Sequence, residues 1–152
     1  MRYNEIMTEE TLPSTARELV QRYGGRAVTF GKLPKLAKLA IRTRAAEHLE
    51  PDEKAPRIDP NMLFGYVEIP MDALKHAILA AIKRDHAEAP FNDFDEYHQW
   101  YTSHDDTPNH TEVWPIELDM VDDNHIIDDG SHRLHSYVKS GLKMVPAIYH
   151  LD

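Results

Sequence analysis

Residues 126–134, IIDDGSHRL, indicate the fold more strongly than any other stretch of the chain. The β-branched pair at its start is typical of a buried strand, and a glycine after two aspartates is typical of a turn. Apolar side chains within residues 134–138 then share one face of a helix, which Gly141 ends. The stretch therefore predicts a strand that passes through a tight turn directly into a helix, followed by a closing strand at 145–149.

A junction of this kind is suited to binding an anion. The first N–H groups of a helix have no partner within it and lie at the positive end of the helix dipole. Gly130 lets a ligand approach the backbone closely, Ser131 can cap the helix or donate to a phosphate oxygen, and Arg133 supplies a forked cation suited to phosphate. The alternative is an ordinary capped helix, with Asp129 or Ser131 as the cap and Arg133 in a surface ion pair.

The preceding residues predict a hairpin. Apolar residues alternate with other residues from 114 to 120, a pattern typical of a half-buried strand; the apolar positions are Trp114, Ile116, Leu118 and Met120, and between them stand Pro115, Glu117 and Asp119. Residues 122–124 predict a turn. Residues 125–128 then predict a second short strand, paired with the first.

An earlier strand is predicted at 63–69, ended by Pro70, with a helix at 71–83. Residues 85–111 are polar and have only a weak helical period at 94–101, so we interpret them as an insertion or lid. Several potential metal ligands in this segment have irregular spacing, which favours a solvated lid over a metal cluster; they are His98, His104, Asp105, Asp106 and His110.

The N-terminal part predicts two helices. Thr15 and Glu18 fit a capping box that begins a helix ending near Tyr23. Residues 26–30 predict a short strand or extended link, and Pro34 begins a second helix running to about residue 49. We therefore divide the chain into a helical N-terminal extension (1–50), a proline-rich linker (51–62) and a main domain (63–152).

The second helix is basic, which indicates either a solvated cationic face or a docking surface for DNA or an acidic protein. The residues of that surface would be Lys35, Lys38, Arg42 and Arg44. The chain as a whole has a net charge of −9, which argues against tight non-specific DNA binding. We expect any DNA contact to be weak.

Composition bounds the class of protein further. The 152 residues suit one domain with an appendage. The absence of cysteine excludes disulfides, thiolate metal sites and cysteine chemistry. No apolar run approaches the roughly 20 residues of a membrane helix, and the N-terminus lacks a signal pattern. We therefore expect a soluble, cytoplasmic protein with no membrane contact.

The order of elements and motifs resembles the ParB/sulfiredoxin superfamily. The resemblance rests on 129–134 (DGSHRL), followed by a helix and 140–148 (SGLKMVPAI), with 66–70 (YVEIP) and Pro115-Ile116 upstream. It covers about residues 63–150. The resemblance implies an α+β fold, with a small mixed sheet and flanking helices.

The resemblance also implies a nucleotide site in which Gly130, Ser131, His132 and Arg133 contact the phosphates. Members of the superfamily differ in activity, which leaves three hypotheses about the function of this chain. The first is hydrolysis or transfer of a phosphoryl group from ATP, ADP or CTP with Mg²⁺. The second is a non-catalytic, nucleotide-dependent module that binds DNA or protein, and the third is a ParB-like nuclease.

Two departures from the family pattern exclude particular functions of its members. Sulfiredoxins have cysteine where this chain has Ser131, which excludes sulfinate repair. The sequence stops four residues after Ile148, so we expect no helix-turn-helix domain of the kind that follows in partition proteins.

Three carboxylates are expected near the phosphates: Glu68, Asp128 and Asp129. Asp128 and Asp129 are candidate Mg²⁺ ligands. Asp129 and Glu68 are candidate catalytic groups that accept a proton, and Ser131 is a candidate phosphate acceptor. The alternative is that Asp128 and Asp129 only shape the turn.

Overall fold

The computed structural model describes residues 12–47, 49–54, 57–104 and 112–151, without the side chain of His104. Within them the chain forms five α-helices and five β-strands. In chain order these are α1 (Ala16–Arg22), β1 (Arg26–Thr29), α2 (Lys35–Ala46), β2 (Leu63–Pro70), α3 (Met71–Asp85), α4 (Phe94–His104), β3 (Ile116–Leu118), β4 (Ile127–Asp129), α5 (Ser131–Ser140) and β5 (Met144–Tyr149). The predicted α+β class, with a mixed sheet and flanking helices, is confirmed.

The strands form one sheet in the order β1-β2-β5-β3-β4. Strand β5 pairs antiparallel with β2 and parallel with β3. The outer pairs, β1 with β2 and β3 with β4, are antiparallel. The register aligns Tyr66, Ile148, Glu117 and Asp129 across four neighbouring strands, and residues that stand directly opposite each other project from the same face of a sheet.

One face of the sheet carries the larger core. Helices α1, α3, α4 and α5 each bury side chains there against the strands. Leu19 of α1, Leu74 of α3, Phe94 of α4 and Leu134 of α5 are all at most 6% exposed. These four helices therefore form one layer on this face.

The opposite face carries a smaller core beneath α2. Ala37 and Ile41 of that helix, with Phe30 and Leu33 before it, pack on Tyr66 and Ile148 of the sheet. The sheet is thus covered on both sides. Residues 16–46, which we assigned to an N-terminal extension, contribute β1 to the sheet and helices to both layers.

The predicted helix boundaries agree closely with the structure. The Thr15 side chain caps α1 by accepting from the N–H of Glu18 at 3.2 Å. Gly141 ends α5 in the left-handed conformation, at φ 77°. Both signals are local hydrogen-bonding patterns that depend on few neighbours, so the sequence alone carries them.

The half-buried strand predicted at 114–120 is wrong in length and in exposure. Only Ile116–Leu118 forms β3, and all three residues are buried, Glu117 included. Alternation indicates a strand with one solvated face, but here α2 lies over the second face. The strand predicted at 125–128 begins and ends later, at Ile127–Asp129.

The polar segment 85–111 contains α4, which is longer than the weak period suggested. Phe94 is buried in the larger core, and Tyr97 packs against it. Asp105, Asp106 and His110 of the alternative metal cluster lie outside the described residues. No helix in the described part of the chain combines the length and the apolar character needed to cross a membrane.

Candidate functional site: the cleft at the start of helix α5

The junction between β4 and α5 is built around Gly130, which precedes the first residue of the helix. Its φ of 109° lies in the region that favours glycine. The Gly130 carbonyl accepts the first helical hydrogen bond, from Leu134 N at 2.9 Å. A Cβ at this position would lie only 3.0 Å from Nη2 of Arg133 and from Cγ2 of Ile116. Glycine is therefore required here both by the backbone conformation and by the space available.

Arg133 folds back over this glycine. Its Nη2 lies 3.2 Å from Oδ2 of Asp129, and its side chain is only 16% exposed. The guanidinium is thus held at the N-terminus of α5 by a carboxylate from the end of β4. The ion pair considered as an alternative to phosphate binding is present, and it is partly buried, since the Asp129 side chain is 45% exposed.

A second guanidinium reaches the same place from α2. Arg44 lies 3.3 Å from Oε2 of Glu117, 3.3 Å from Asp128, 3.5 Å from Asp129 and 3.7 Å from Glu47. The pKa of Arg44 is raised, chiefly by Glu117. Arg44 therefore joins the N-terminal helix to the hairpin β3–β4, and its charge faces the cleft.

Glu117 is the most buried carboxylate of the group, at 7% exposure. Its second oxygen lies 3.3 Å from Nε2 of His150. The pKa of Glu117 is raised, because burial raises it more than Arg44 and His150 lower it. Each of its two oxygens thus contacts a different side chain, Oε2 that of Arg44 and Oε1 that of His150.

These groups border a cleft of about 590 Å³ between α2 and the β4–α5 junction. Gly130, His132 and Arg133 form one side, and Arg44 and Glu117 form the other. The rest of the lining combines apolar and polar side chains, those of Ala40, Thr43, Glu47, Glu112, Trp114, Pro115, Asp129 and Ile148. The backbone at Trp114 is anchored because its carbonyl accepts from the Tyr137 hydroxyl at 2.7 Å. The volume is in the range of small-molecule sites.

The structure brings together most of the predicted site residues, but not all of them. Asp129, Gly130, His132 and Arg133 line the cleft, and Asp128 borders it through Arg44. Ser131 instead lines a smaller cavity of about 120 Å³ on the face of α5 that packs against α3 and α4. Adjacent helical residues point about 100° apart, so the hydroxyl faces away from the cleft.

Glu68 also lies apart. It is exposed on β2, where it accepts a long hydrogen bond, 3.5 Å, from the Tyr66 hydroxyl. In the sheet order, β5 and β3 separate β2 from β4, a separation of roughly 14 Å at the usual strand spacing. The structure therefore does not place Glu68 beside Asp128 and Asp129.

The basic set on α2 is divided as well. Arg44 is engaged in the cleft, and Arg42 lies over the ring of Phe30 at 5.2 Å from its centroid. Lys35 is exposed and Lys38 is partly exposed. Arg44 therefore differs from the other three residues in its carboxylate contacts. The sequence did not predict this difference, because three of the four carboxylate partners of Arg44 come from residues 117–129.

Ligand-type side chains also gather away from the cleft. Within the described residues, one ligand atom from each of Asp119, Asp122 and His125 lies within 4.8 Å of the others, beside the turn between β3 and β4. His98, from the alternative metal cluster, forms a hydrogen bond with His135 instead, with 2.7 Å between their Nδ1 atoms.

No protein-family model, curated protein or solved structure matches the chain.

Proposed function

We propose that this chain is a ParB/sulfiredoxin-like nucleotide-binding domain that hydrolyses or transfers a phosphoryl group with Mg²⁺. The observation that carries the proposal is the convergence of two guanidiniums, from Arg44 and Arg133, on the N-terminus of α5. Backbone N–H groups, a helix dipole and two forked cations are together suited to a phosphate group. His132 adds a hydrogen-bonding group at the same edge.

The proposed relation to the superfamily is supported by the arrangement of elements. The DGSHRL stretch spans the end of a strand, a turn and the start of a helix, and the residues of SGLKMVPAI lead from the end of that helix into β5. Residues 63–70 form the strand that pairs with β5. These placements agree with the elements that the resemblance implies for the same residues.

Electrostatics make a divalent cation necessary to this proposal. Within 4 Å of Arg44 lie carboxylates of four residues, Glu47, Glu117, Asp128 and Asp129, whereas the cleft holds two guanidiniums. Excess negative charge repels a polyphosphate unless the ligand brings a cation.

Asp128 and Asp129 fit the donor type that Mg²⁺ prefers, and their side chains are 46% and 45% exposed. Both now contact guanidiniums. A phosphate that takes over Arg44 and Arg133 would leave these carboxylate oxygens to the cation. Mg²⁺ bound there with the nucleotide would neutralise phosphate charge.

Asp129 has a central position among the residues of the proposed site. It contacts both Arg44 and Arg133 and is the last residue of β4, separated from α5 only by Gly130. A carboxylate so placed can orient the guanidiniums or accept a proton from an attacking hydroxyl or water. Ser131, which faces away from the cleft, is the weaker candidate for a phosphate acceptor.

A second function, a nucleotide-dependent switch, is favoured by the contacts of Arg44. This single side chain links α2 to the β3–β4 hairpin through Glu117, Asp128 and Asp129. A phosphate would compete with these carboxylates for the guanidinium. Ligand binding would thereby change how α2 is held, without any chemical step.

Calorimetry with ATP, ADP and CTP tests the proposal, each titrated with Mg²⁺ and again with EDTA. Arg133→Ala should weaken nucleotide binding roughly tenfold to a hundredfold, because a charged hydrogen bond contributes about 1.5 to 3 kcal/mol. Arg42→Ala is the matched control, since Arg42 does not line the cleft. Equal affinity of wild type and a folded Arg133→Ala protein would place the phosphate elsewhere.

Phosphorus NMR of the same mixtures separates enzyme from switch. An enzyme should release or transfer phosphate in the wild type and not in Arg133→Ala, with candidate acceptors such as free amino acids or DNA added. Tight, Mg²⁺-dependent binding without turnover above the Arg133→Ala control would favour the switch.

A further inference from the structure

A second cavity, of about 440 Å³, adjoins the cleft along the Arg44–Glu117 ion pair. Its walls are mainly apolar and include Ile41 and Ala45 of α2, Ile58 of the linker and Phe64 of β2. We call it the apolar pocket. The two cavities share Arg44, Glu117 and Ile148 as walls, so that one ligand can occupy both.

The sheet sets the dimensions of such a ligand. The cleft contains Asp129 of β4 and the apolar pocket contains Phe64 of β2. Strands β3 and β5 lie between them, so the two ends are roughly 14 Å apart at the usual strand spacing. A ligand that fills both cavities is therefore elongated, with an anionic end at Gly130 and an apolar end beneath α2.

We propose that the apolar pocket holds the purine base of the nucleotide whose phosphates occupy the cleft. This inference rests on the proposed function and specifies the base. A purine has two apolar faces and a polar edge. Ile41, Ile58 and Phe64 can contact the faces, and the lining also includes Arg57 and Asp59, which can meet the edge.

Asp59 gives the polar lining a defined geometry. One of its carboxylate oxygens accepts from the N–H of Asn61 at 2.8 Å, which orients the group. A carboxylate can accept further hydrogen bonds, including one from an exocyclic amine of a base. An alkyl chain would remove water from Asp59 and Arg57. It offers no hydrogen bonds in place of those that the two side chains make to water, and this loss costs free energy.

The size of the pocket favours a purine over a pyrimidine. Stabilisation by apolar contact grows with the area removed from water, and a two-ring base covers more of the apolar wall than a one-ring base. The ribose and two phosphates then extend past Arg44 toward Arg133. The structure thus favours ADP or ATP over CTP as the ligand.

The test fills the pocket from an exposed position. Ala45 lies on the solvent side of α2 and lines the apolar pocket, so Ala45→Phe would place a ring where the base is expected. Ala46→Phe is the matched control, because Ala46 follows it on the same helix and does not line either cavity. The calorimetric probes are ADP, CDP and pyrophosphate, each with Mg²⁺, and thermal unfolding checks that both variants fold.

Ala45→Phe should weaken the binding of ADP roughly tenfold, because the base can no longer bury its ring in the pocket. The affinity for pyrophosphate should be unchanged. Ala46→Phe should leave both unchanged. Wild type should bind ADP more tightly than CDP. The inference is overturned if a folded Ala45→Phe protein binds ADP as wild type does, if CDP binds as tightly as ADP, or if octyl phosphate binds more tightly than ADP and loses that advantage in Ala45→Phe.

Arg133→Ala distinguishes failure of this inference from failure of the proposed function. If Arg133→Ala weakens the binding of both ADP and pyrophosphate while Ala45→Phe changes neither affinity, the phosphates bind in the cleft and the base lies elsewhere. If Arg133→Ala affects neither ligand, the phosphate site itself is wrong, and the base assignment falls with it.

Discussion

Acid should destabilise this protein through His135, a histidine buried between α4 and α5. Its side chain is 1% exposed and stacks on Tyr101, with ring centroids 3.8 Å apart, and on Phe94 and His98. The pKa of His135 is lowered to about 3. Burial is the main cause, and the neighbouring His98, His132 and Lys139 contribute to the same lowering. The folded protein therefore resists a proton that the unfolded chain accepts.

The magnitude follows from linkage. The pKa in the unfolded chain is near 6.5 and the folded pKa is near 3, so the stabilisation is fully present above pH 6.5 and is lost as the pH falls toward 3. At pH 5 the loss relative to pH 8 is about 2 kcal/mol, since each unit below 6.5 costs about 1.4 kcal/mol. His98, whose pKa is also lowered by burial and by Lys139 and Lys75, acts in the same direction.

Urea unfolding, followed by circular dichroism between pH 8 and pH 5, measures this loss in wild type and His135→Phe. The phenyl ring keeps the stacking volume and removes the titrating group, so the variant should lose about 2 kcal/mol less at pH 5. His125→Gln is a control of opposite sign. Asp122 raises the pKa of His125, so its stabilisation is present at low pH and is lost as the pH rises. An equal acid loss in wild type and His135→Phe would refute the reasoning.

Three further predictions concern the cleft. Gly130→Ala should destabilise the fold by about 1 to 3 kcal/mol, because φ is 109° and a Cβ would meet Arg133 and Ile116. Urea unfolding measures this loss. Gly141→Asn is the control and should cost less, because nothing lies within 4 Å of a Cβ at that position. Arg44→Ala should cost about 1 to 2 kcal/mol, between the values for an exposed and a buried ion pair, because Arg44 is 42% exposed while Glu117 is buried. Urea unfolding should show this cost shrinking as the pH falls and Glu117 is protonated; a cost independent of pH would contradict this assignment. Asp129→Asn should reduce nucleotide turnover far more than nucleotide affinity, which steady-state kinetics and calorimetry compare; equal losses in the two would make Asp129 a binding group only.

The sequence by itself determined the local features of the fold. The capping box at Thr15, the glycine that ends α5 and the strand–turn–helix at 126–134 each depend on hydrogen bonds or backbone angles within a few residues. For the same reason, the position of Gly130 before a helix N-terminus could be predicted without any knowledge of tertiary contacts. The α+β class was implied by the resemblance in motif order, and the helices and strands of the structure confirm it.

The tertiary structure alone decided which side chains share the site. Arg44 meets Glu117, Asp128 and Asp129 across more than 70 residues of chain, because α2 packs over the sheet face from which Glu117 and Asp129 project. The same packing buries Glu117, which alternation had placed among the polar positions of a half-buried strand. Ser131 is turned away from the cleft by the rotation of one residue along α5. Charge, burial and direction at these positions depend on which layer covers which face, and that is a property of the whole packed chain.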